Sequence, residues 1–191
     1  RSGLILLPPA FLLIFFFYPL ISLFVVSLTP DGVLDLSGFA EIFTDDYYIR
    51  IFLFTTGQAA LSTLLTVGLA LPGAYAFARF DFPGKALLLS VSTLPFVLPT
   101  VVVAAAFSAL IGERGILPLN LEGTLTIILI AHVFYNYALA LRMISSYWAT
   151  QSPRIEEAAR VLGAHGWRLW WEIRLAAIRP ALLASSALIF I

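Results

Sequence analysis

Two adjacent carboxylates, Glu156 and Glu157, lie in the most densely charged stretch of this 191-residue sequence. An ionised carboxylate accepts charge-assisted hydrogen bonds from the polar groups of a partner. Ala158 and Ala159 follow directly, and their small side chains let another surface approach closely. Together these four residues have the chemistry of a surface that contacts a partner protein.

A short helix is predicted to carry these residues. Ser152 is a good N-cap, and Pro153 suits the first helical position, where its missing amide hydrogen costs nothing. Glu156 and Arg160 are spaced to interact along one side. Gly163 is typical of a helix end that turns left-handed. The remaining face has apolar residues at helical spacing, namely Ile155, Ala158, Ala159 and Leu162.

An amphipathic helix of this kind could sit in two places. It could dock on a partner protein, or it could lie on lipid headgroups with its apolar stripe facing the membrane. After Gly163, a turn at His165-Gly166 and a second helix from about Trp167 are expected. The periodicity does not decide between the two locations.

A second set of polar residues lies in otherwise apolar stretches. His132 and Asn136 are four residues apart and therefore share one helix face, while Gln58 and Thr63 belong to an earlier stretch. Such side chains either line a path for a solute or form interhelical hydrogen bonds worth about 0.6–2 kcal/mol each. A lone histidine is weak evidence for a metal site.

The composition is that of an integral membrane protein. Apolar residues make up 61% and charged residues 12% of the chain, against about 45–50% and about 25% in soluble domains. A net charge of zero gives no sign of a nucleic-acid partner, and the lack of cysteine excludes disulfides and thiolate metal sites. No phosphate-binding loop and no acid–base or zinc-binding set is evident, so neither enzymatic activity nor a cofactor is expected.

An all-α, polytopic helix bundle is predicted, forming a single transmembrane domain over residues 1–191. A helix needs about 20 apolar residues to cross the bilayer. Prolines interrupt these spans, so kinked helices are expected. Because the chain starts at Arg1 and ends inside an apolar run, it is expected to be part of a longer protein. The predicted spans are about 4–28, 50–78, 86–111 and 124–146, with an incomplete fifth from 180 to 191.

The loop from 147 to 179 is expected on the cytoplasmic side. Burying its eight charged side chains at mid-bilayer would cost more than about 20 kcal/mol. Basic residues gather on the same side, whereas the first external loop is acidic. The basic set is Arg1, Arg79, Lys85, Arg142, Arg154, Arg160, Arg168, Arg174 and Arg179, and the acidic set is Asp31, Asp35, Glu41, Asp45 and Asp46.

The spacing from Glu157 onwards resembles the EAA loop of ABC importer permeases. Glu157-Ala158-Ala159 is followed after three residues by Gly163, and after nine more by Ile173-x-Leu175. Ala176 stands where that family favours proline. Phe82-Pro83-Gly84-Lys85 and the proline-bearing segment 94–100 further resemble the ferric-iron and thiamine branch of these permeases.

The resemblance implies a type I ABC importer fold, here truncated in the fifth span, in the bacterial cytoplasmic (inner) membrane. It implies two copies of a separate ATPase, a solute-binding protein, a second permease half or subunit, and ferric iron or thiamine as substrate. The implied coupling residues are Glu156, Glu157, Ala158, Ala159, Arg160, Leu162 and Gly163; Gln58, Thr63, His132 and Asn136 would line the pathway. The alternative is a non-ABC carrier or scaffold whose loop lies on the membrane.

Overall fold

A computed structural model describes residues 2–29 and 32–191, except for the side chains of residues 2–6. Every regular element in these ranges is a helix, as predicted. Contacts divide the chain into two compact units, one ending at Leu53 and the other comprising Phe54–Ile191. The single domain over 1–191 therefore stays a prediction. Arg1 and Asp31, which entered the prediction of orientation, lie outside the described residues.

The helices of the first unit begin with a long apolar rod. Helix α1 runs into a π-helical turn and then α2, and the stretch Leu7–Leu28 is long and apolar enough to cross a membrane. A short α3 follows. The bounds are Ser2–Leu12 for α1, Leu13–Phe17 for the π-helical turn, Tyr18–Leu28 for α2 and Ser37–Thr44 for α3.

The remaining helices belong to the second unit, apart from the part of α4 before Phe54. Helices α4 and α8 are each long and apolar enough to cross a membrane, and they overlap the predicted spans 50–78 and 124–146. A π-helical segment, Leu169–Leu175, extends the short α10. The bounds are Asp46–Arg79 for α4, Lys85–Ser92 for α5, Leu94–Val97 for α6, Thr100–Ile111 for α7, Leu125–Ala149 for α8, Pro153–Val161 for α9, Gly166–Arg168 for α10 and Arg179–Phe190 for α11.

The stretch 86–111, predicted as one span, is not a single rod. Lys85–Val97 and Thr100–Ile111 meet at an angle of 100°. Leu98 is extended at the break because the ring of Pro99 disfavours a helical conformation in the residue before it. The hydroxyl of Tyr135 donates to the Leu98 carbonyl at 2.9 Å, so this carbonyl has a partner within the protein.

The core of the second unit lies where α4, α8 and α11 meet. Small residues on α4, Ala70 and Ala74, are fully buried there and let bulky side chains of α8 pack closely. Trp148, near the end of α8, is also fully buried, and its ring lies 5.2 Å from that of Tyr75. This aromatic contact lies at the end of the core where α8 meets the charged loop that follows it.

Candidate functional site

The predicted short helix forms as α9 and is capped at its start. The Ser152 hydroxyl oxygen accepts a hydrogen bond of 3.4 Å from the amide of Arg154, and Pro153 occupies the first helical position. This bond satisfies one of the amides that a helix start leaves unpaired. The start of the helix was therefore readable from the Ser-Pro pair.

The helix ends in a glycine elbow, also as predicted. Gly163 has φ of +88°, which favours glycine, and its amide donates to the carbonyl of Arg160 at 3.0 Å. The amide of Ala164 donates to the carbonyl of Ala159 at 2.9 Å. These two bonds form a Schellman motif, which fixes the direction of the chain after the helix.

The inner face of α9 is held by an ion cluster centred on Glu156, whose side chain is 14% exposed. Its Oε1 accepts a hydrogen bond from Arg79 Nη2 at 3.2 Å. Its Oε2 accepts one from Arg174 Nε at 3.0 Å and lies 2.9 Å from Arg174 Nη2. Arg160 Nη2 is farther, at 4.0 Å from Oε2. Glu156, predicted to face a partner, instead points into the chain, because arginines from two other elements converge on it.

The Arg174 guanidinium lies between two aromatic rings. Its central carbon is 4.7 Å from the ring centroid of Tyr75 and 4.9 Å from that of Trp170. Such cation–π contacts stabilise a buried arginine by about 0.5–2 kcal/mol each. The same two rings contact Trp148, so the ion cluster packs against aromatic side chains of the core.

Ala159 also faces inward. It is buried with Ala164 and Leu169, and Ile173 packs against them. A Schellman motif commonly brings together the two positions that Ala159 and Ala164 occupy, which explains the contact. Ala159 was predicted to form part of the surface for a partner; the structure instead places it in the support of the elbow.

The outer face of α9 is open and partly apolar. Val161 and Leu162 are 88% and 87% exposed, and Glu157 and Ala158 are exposed beside them. Exposed apolar residues gathered in a charged segment mark an interaction surface. We call Glu157, Ala158, Val161 and Leu162 the outer face. Val161 was missed from the sequence because it lies off the predicted apolar stripe, although its position just before Leu162 and the elbow was a usable signal.

Three of the four residues predicted to line a pathway meet at one cavity. Gln58, His132 and Asn136 line a space of about 600 Å³ between α4, α7, α8 and α11. Gln58 Nε2 and His132 Nδ1 are hydrogen-bonded at 2.9 Å. Thr63 is buried elsewhere, and its hydroxyl donates to the Ala59 carbonyl within α4 at 2.8 Å.

The cavity has a mixed polar and apolar lining. Besides the three residues above, its polar lining residues are Thr55, Thr100 and Tyr135; its other described lining residues are apolar, and none is Asp, Glu, Lys or Arg. Amides, hydroxyls and an imidazole both donate and accept hydrogen bonds. Within the described ranges, no group of three or more His, Asp or Glu side chains could hold a metal ion. The cavity is therefore suited to hydrogen bonding with a small solute.

Comparison with known proteins identifies a family whose model covers α9 and the part of the cavity that α7, α8 and α11 form. The family model described as binding-protein-dependent transport system inner membrane component matches residues 68–191. The thiamine transport system permease protein ThiP of Haemophilus influenzae is 34% identical over 158 residues, which are 78% of this chain and 29% of that protein.

Two further relatives carry other substrate names. The sulfate transport system permease protein CysW of Synechococcus elongatus is 33% identical over 160 residues, covering 80% of this chain and 56% of that protein. The molybdenum transport system permease protein ModB of Escherichia coli is 31% identical over 140 residues, covering 69% and 61%. The chain thus spans between about a third and three-fifths of the length of these relatives. It belongs to the family of binding-protein-dependent transport system inner membrane components, the permeases of ABC importers.

Proposed function

We propose that this chain acts as the permease subunit of an ATP-driven importer and that α9 docks on a separate ATPase subunit. The observation that carries this proposal is the outer face of α9. Val161 and Leu162 are almost fully exposed on a helix that is capped at both ends and held from inside. A rigid helix with an apolar outer face loses little conformational freedom when a partner covers it.

Docking divides the predicted coupling residues into two groups. Glu157, Ala158 and Leu162 would contact the ATPase, together with Val161, and the half-exposed Arg160 would lie at the edge of the contact. Gly163 sets the elbow. Glu156 and Ala159 would hold the helix in place from its inner side.

The other partners follow from family membership. We expect two copies of the ATPase, a solute-binding protein and a second permease half or subunit, in the cytoplasmic membrane of a bacterium. Lipid and the second permease would cover the many exposed apolar side chains of the spans. Family membership leaves no support for the alternative of a non-ABC carrier or scaffold.

Thiamine is the substrate that we propose to test first, because one relative that is 34% identical is named for it. Sulfate and molybdate come next, on the names of the other relatives. Ferric iron, the other predicted substrate, is supported only by the sequence resemblance at Phe82–Lys85 and 94–100. The uncharged hydrogen-bonding groups of the cavity would contact the solute as it passes.

The proposed function is tested by purifying the full-length permease together with the proteins encoded beside it. An ATPase should co-purify, and the assembly reconstituted in liposomes should take up thiamine, sulfate or molybdate only when ATP is supplied. Uptake without ATP, by a permease that retains no ATPase, would contradict the proposal.

A change in the cavity should reduce transport while leaving the ATPase bound. Asn136→Leu is expected to slow uptake about fivefold, because one lost hydrogen bond to the solute costs about 1 kcal/mol. Thr63→Val is the matched control, since the Thr63 hydroxyl donates to the carbonyl of Ala59 within α4 and does not line the cavity. Equal losses of uptake in the two variants would show that Asn136 does not contact the solute in the pathway.

A further inference from the structure

Glu156 joins three elements that are far apart in the sequence. It belongs to α9, its Oε1 is bonded to Arg79 at the end of α4, and its Oε2 is bonded to Arg174 in the π-helical segment. All three side chains are at least 85% buried, with exposures of 14%, 15% and 10% for Glu156, Arg79 and Arg174. A partner covering the outer face of α9 would therefore not touch this cluster directly.

Gln58 and Asn136 line the cavity from α4 and α8, and each of these helices ends close to the cluster. From Gln58 to Arg79, α4 is one continuous helix about 32 Å long at 1.5 Å per residue. Arg79 Nη1 also donates to the carbonyl of Gln151, just after the end of α8, at 3.1 Å. One guanidinium thus connects α4 to the segment that follows α8 and to the docking helix.

We propose that Glu156 is a positioning residue that links α9 to α4 through Arg79, so that a displacement of α9 moves the wall of the solute cavity. The inference rests on the proposed function, since it requires an ATPase to move α9. It assigns Glu156 an internal role in transmission, in place of the contact with the ATPase that its sequence position suggests.

The two arginines play different parts in this link. Arg174 is held by a hydrogen bond from its Nε and an ion-pair contact from its Nη2 to one carboxylate oxygen, and by two aromatic rings. Arg79 is held by its Nη atoms alone, and its buried Nε has no hydrogen-bond partner among the described residues. The Glu156–Arg174 pair therefore anchors the cluster, and the Arg79 contact is the connection to α4.

Because of this difference, a single substitution can remove the Arg79–Glu156 contact while the Glu156–Arg174 pair remains. Arg79→Gln leaves Glu156 paired with Arg174, so no buried carboxylate loses its last partner. Arg79→Lys keeps a positive charge near Glu156 and serves as the conservative variant. Arg168→Gln is the matched control, because Arg168 lies in the same loop, is 70% exposed and, among the described residues, pairs only with Glu172.

The experiment measures solute taken up per ATP hydrolysed by the complete transporter in liposomes, with thiamine, sulfate and molybdate as probes. Arg79→Gln should keep the ATPase bound and hydrolysing ATP, while uptake per ATP falls about fivefold or more. Arg79→Lys should recover most of that loss, and Arg168→Gln should match the wild type.

Unchanged uptake per ATP in Arg79→Gln would overturn the inference and leave docking of α9 intact. A loss of bound ATPase in this variant at unchanged uptake per ATP would also overturn it, since the cluster would then only shape the docking surface. A wild-type permease that retains no ATPase would instead refute the proposed function, and the inference with it.

Discussion

Glu156→Ala is expected to destabilise the permease by about 3–5 kcal/mol, because removing one partner of a buried ion pair leaves the other charge uncompensated. Here two arginines would be left, with side chains only 15% and 10% exposed. The expected result is a low yield of folded protein and a lower midpoint of thermal unfolding in detergent.

The adjacent glutamate is the control for this prediction. Glu157 is exposed on the outer face, so Glu157→Ala should change the free energy of unfolding by no more than about 0.5 kcal/mol. It should weaken the association with the ATPase instead. If the two alanine variants unfolded at the same temperature, the inward orientation of Glu156 would be wrong.

A double change on the outer face should greatly weaken binding of the ATPase. Val161→Asp combined with Leu162→Asp would place two carboxylates without partners in an apolar contact. Since an unpaired charge at a buried contact costs at least about 3 kcal/mol, we expect the affinity for the ATPase to fall about a hundredfold or more. Both side chains are almost fully exposed in the permease alone, so its own thermal unfolding should not change. Affinity is measured by titrating labelled ATPase onto the purified permease.

An equally exposed apolar residue outside α9 provides the control for this double variant. Ile116 is 82% exposed and lies in the connection between α7 and α8. Ile116→Asp should leave the affinity for the ATPase unchanged. A comparable loss of affinity in Ile116→Asp would mean that the effect of the double variant is not specific to α9.

Local chemistry was sufficient to predict α9. The Ser152-Pro153 start and the Gly163 elbow depend on backbone groups within a few residues, which the sequence displays directly. The orientation of the two glutamates could not be predicted in this way. It is decided by Arg79 and Arg174, which are 77 and 18 residues from Glu156.

The prolines show the same dependence on distant partners. Pro72 lies inside the continuous helix α4, whereas α6 and α7 separate at Pro99 with a bend of 100°. The carbonyl exposed at the break is satisfied by Tyr135, which is 37 residues from Leu98 in the sequence. No feature of the sequence around either proline supplies that partner, so the sequence predicted one kinked span over 86–111 and not a bend of 100°.

The lining of the cavity was predictable in part. His132 and Asn136 share a face of α8 at a spacing of four residues, and both line the cavity. Thr63 is five residues after Gln58, which turns it about 140° around α4 at 3.6 residues per turn. Helix geometry could therefore have excluded Thr63, whereas the Gln58–His132 hydrogen bond joins residues 74 apart and needed the fold.

Docking of α9 is tested most directly by a cysteine at Val161. The chain has no cysteine of its own, so a thiol reagent can modify the Val161→Cys permease only at position 161. In membranes containing the whole transporter, a short thiol-to-amine cross-linker should join this cysteine to the ATPase in high yield. Labelling of the same cysteine by a lipid-soluble reagent, with no cross-link to the ATPase, would contradict the docking of α9.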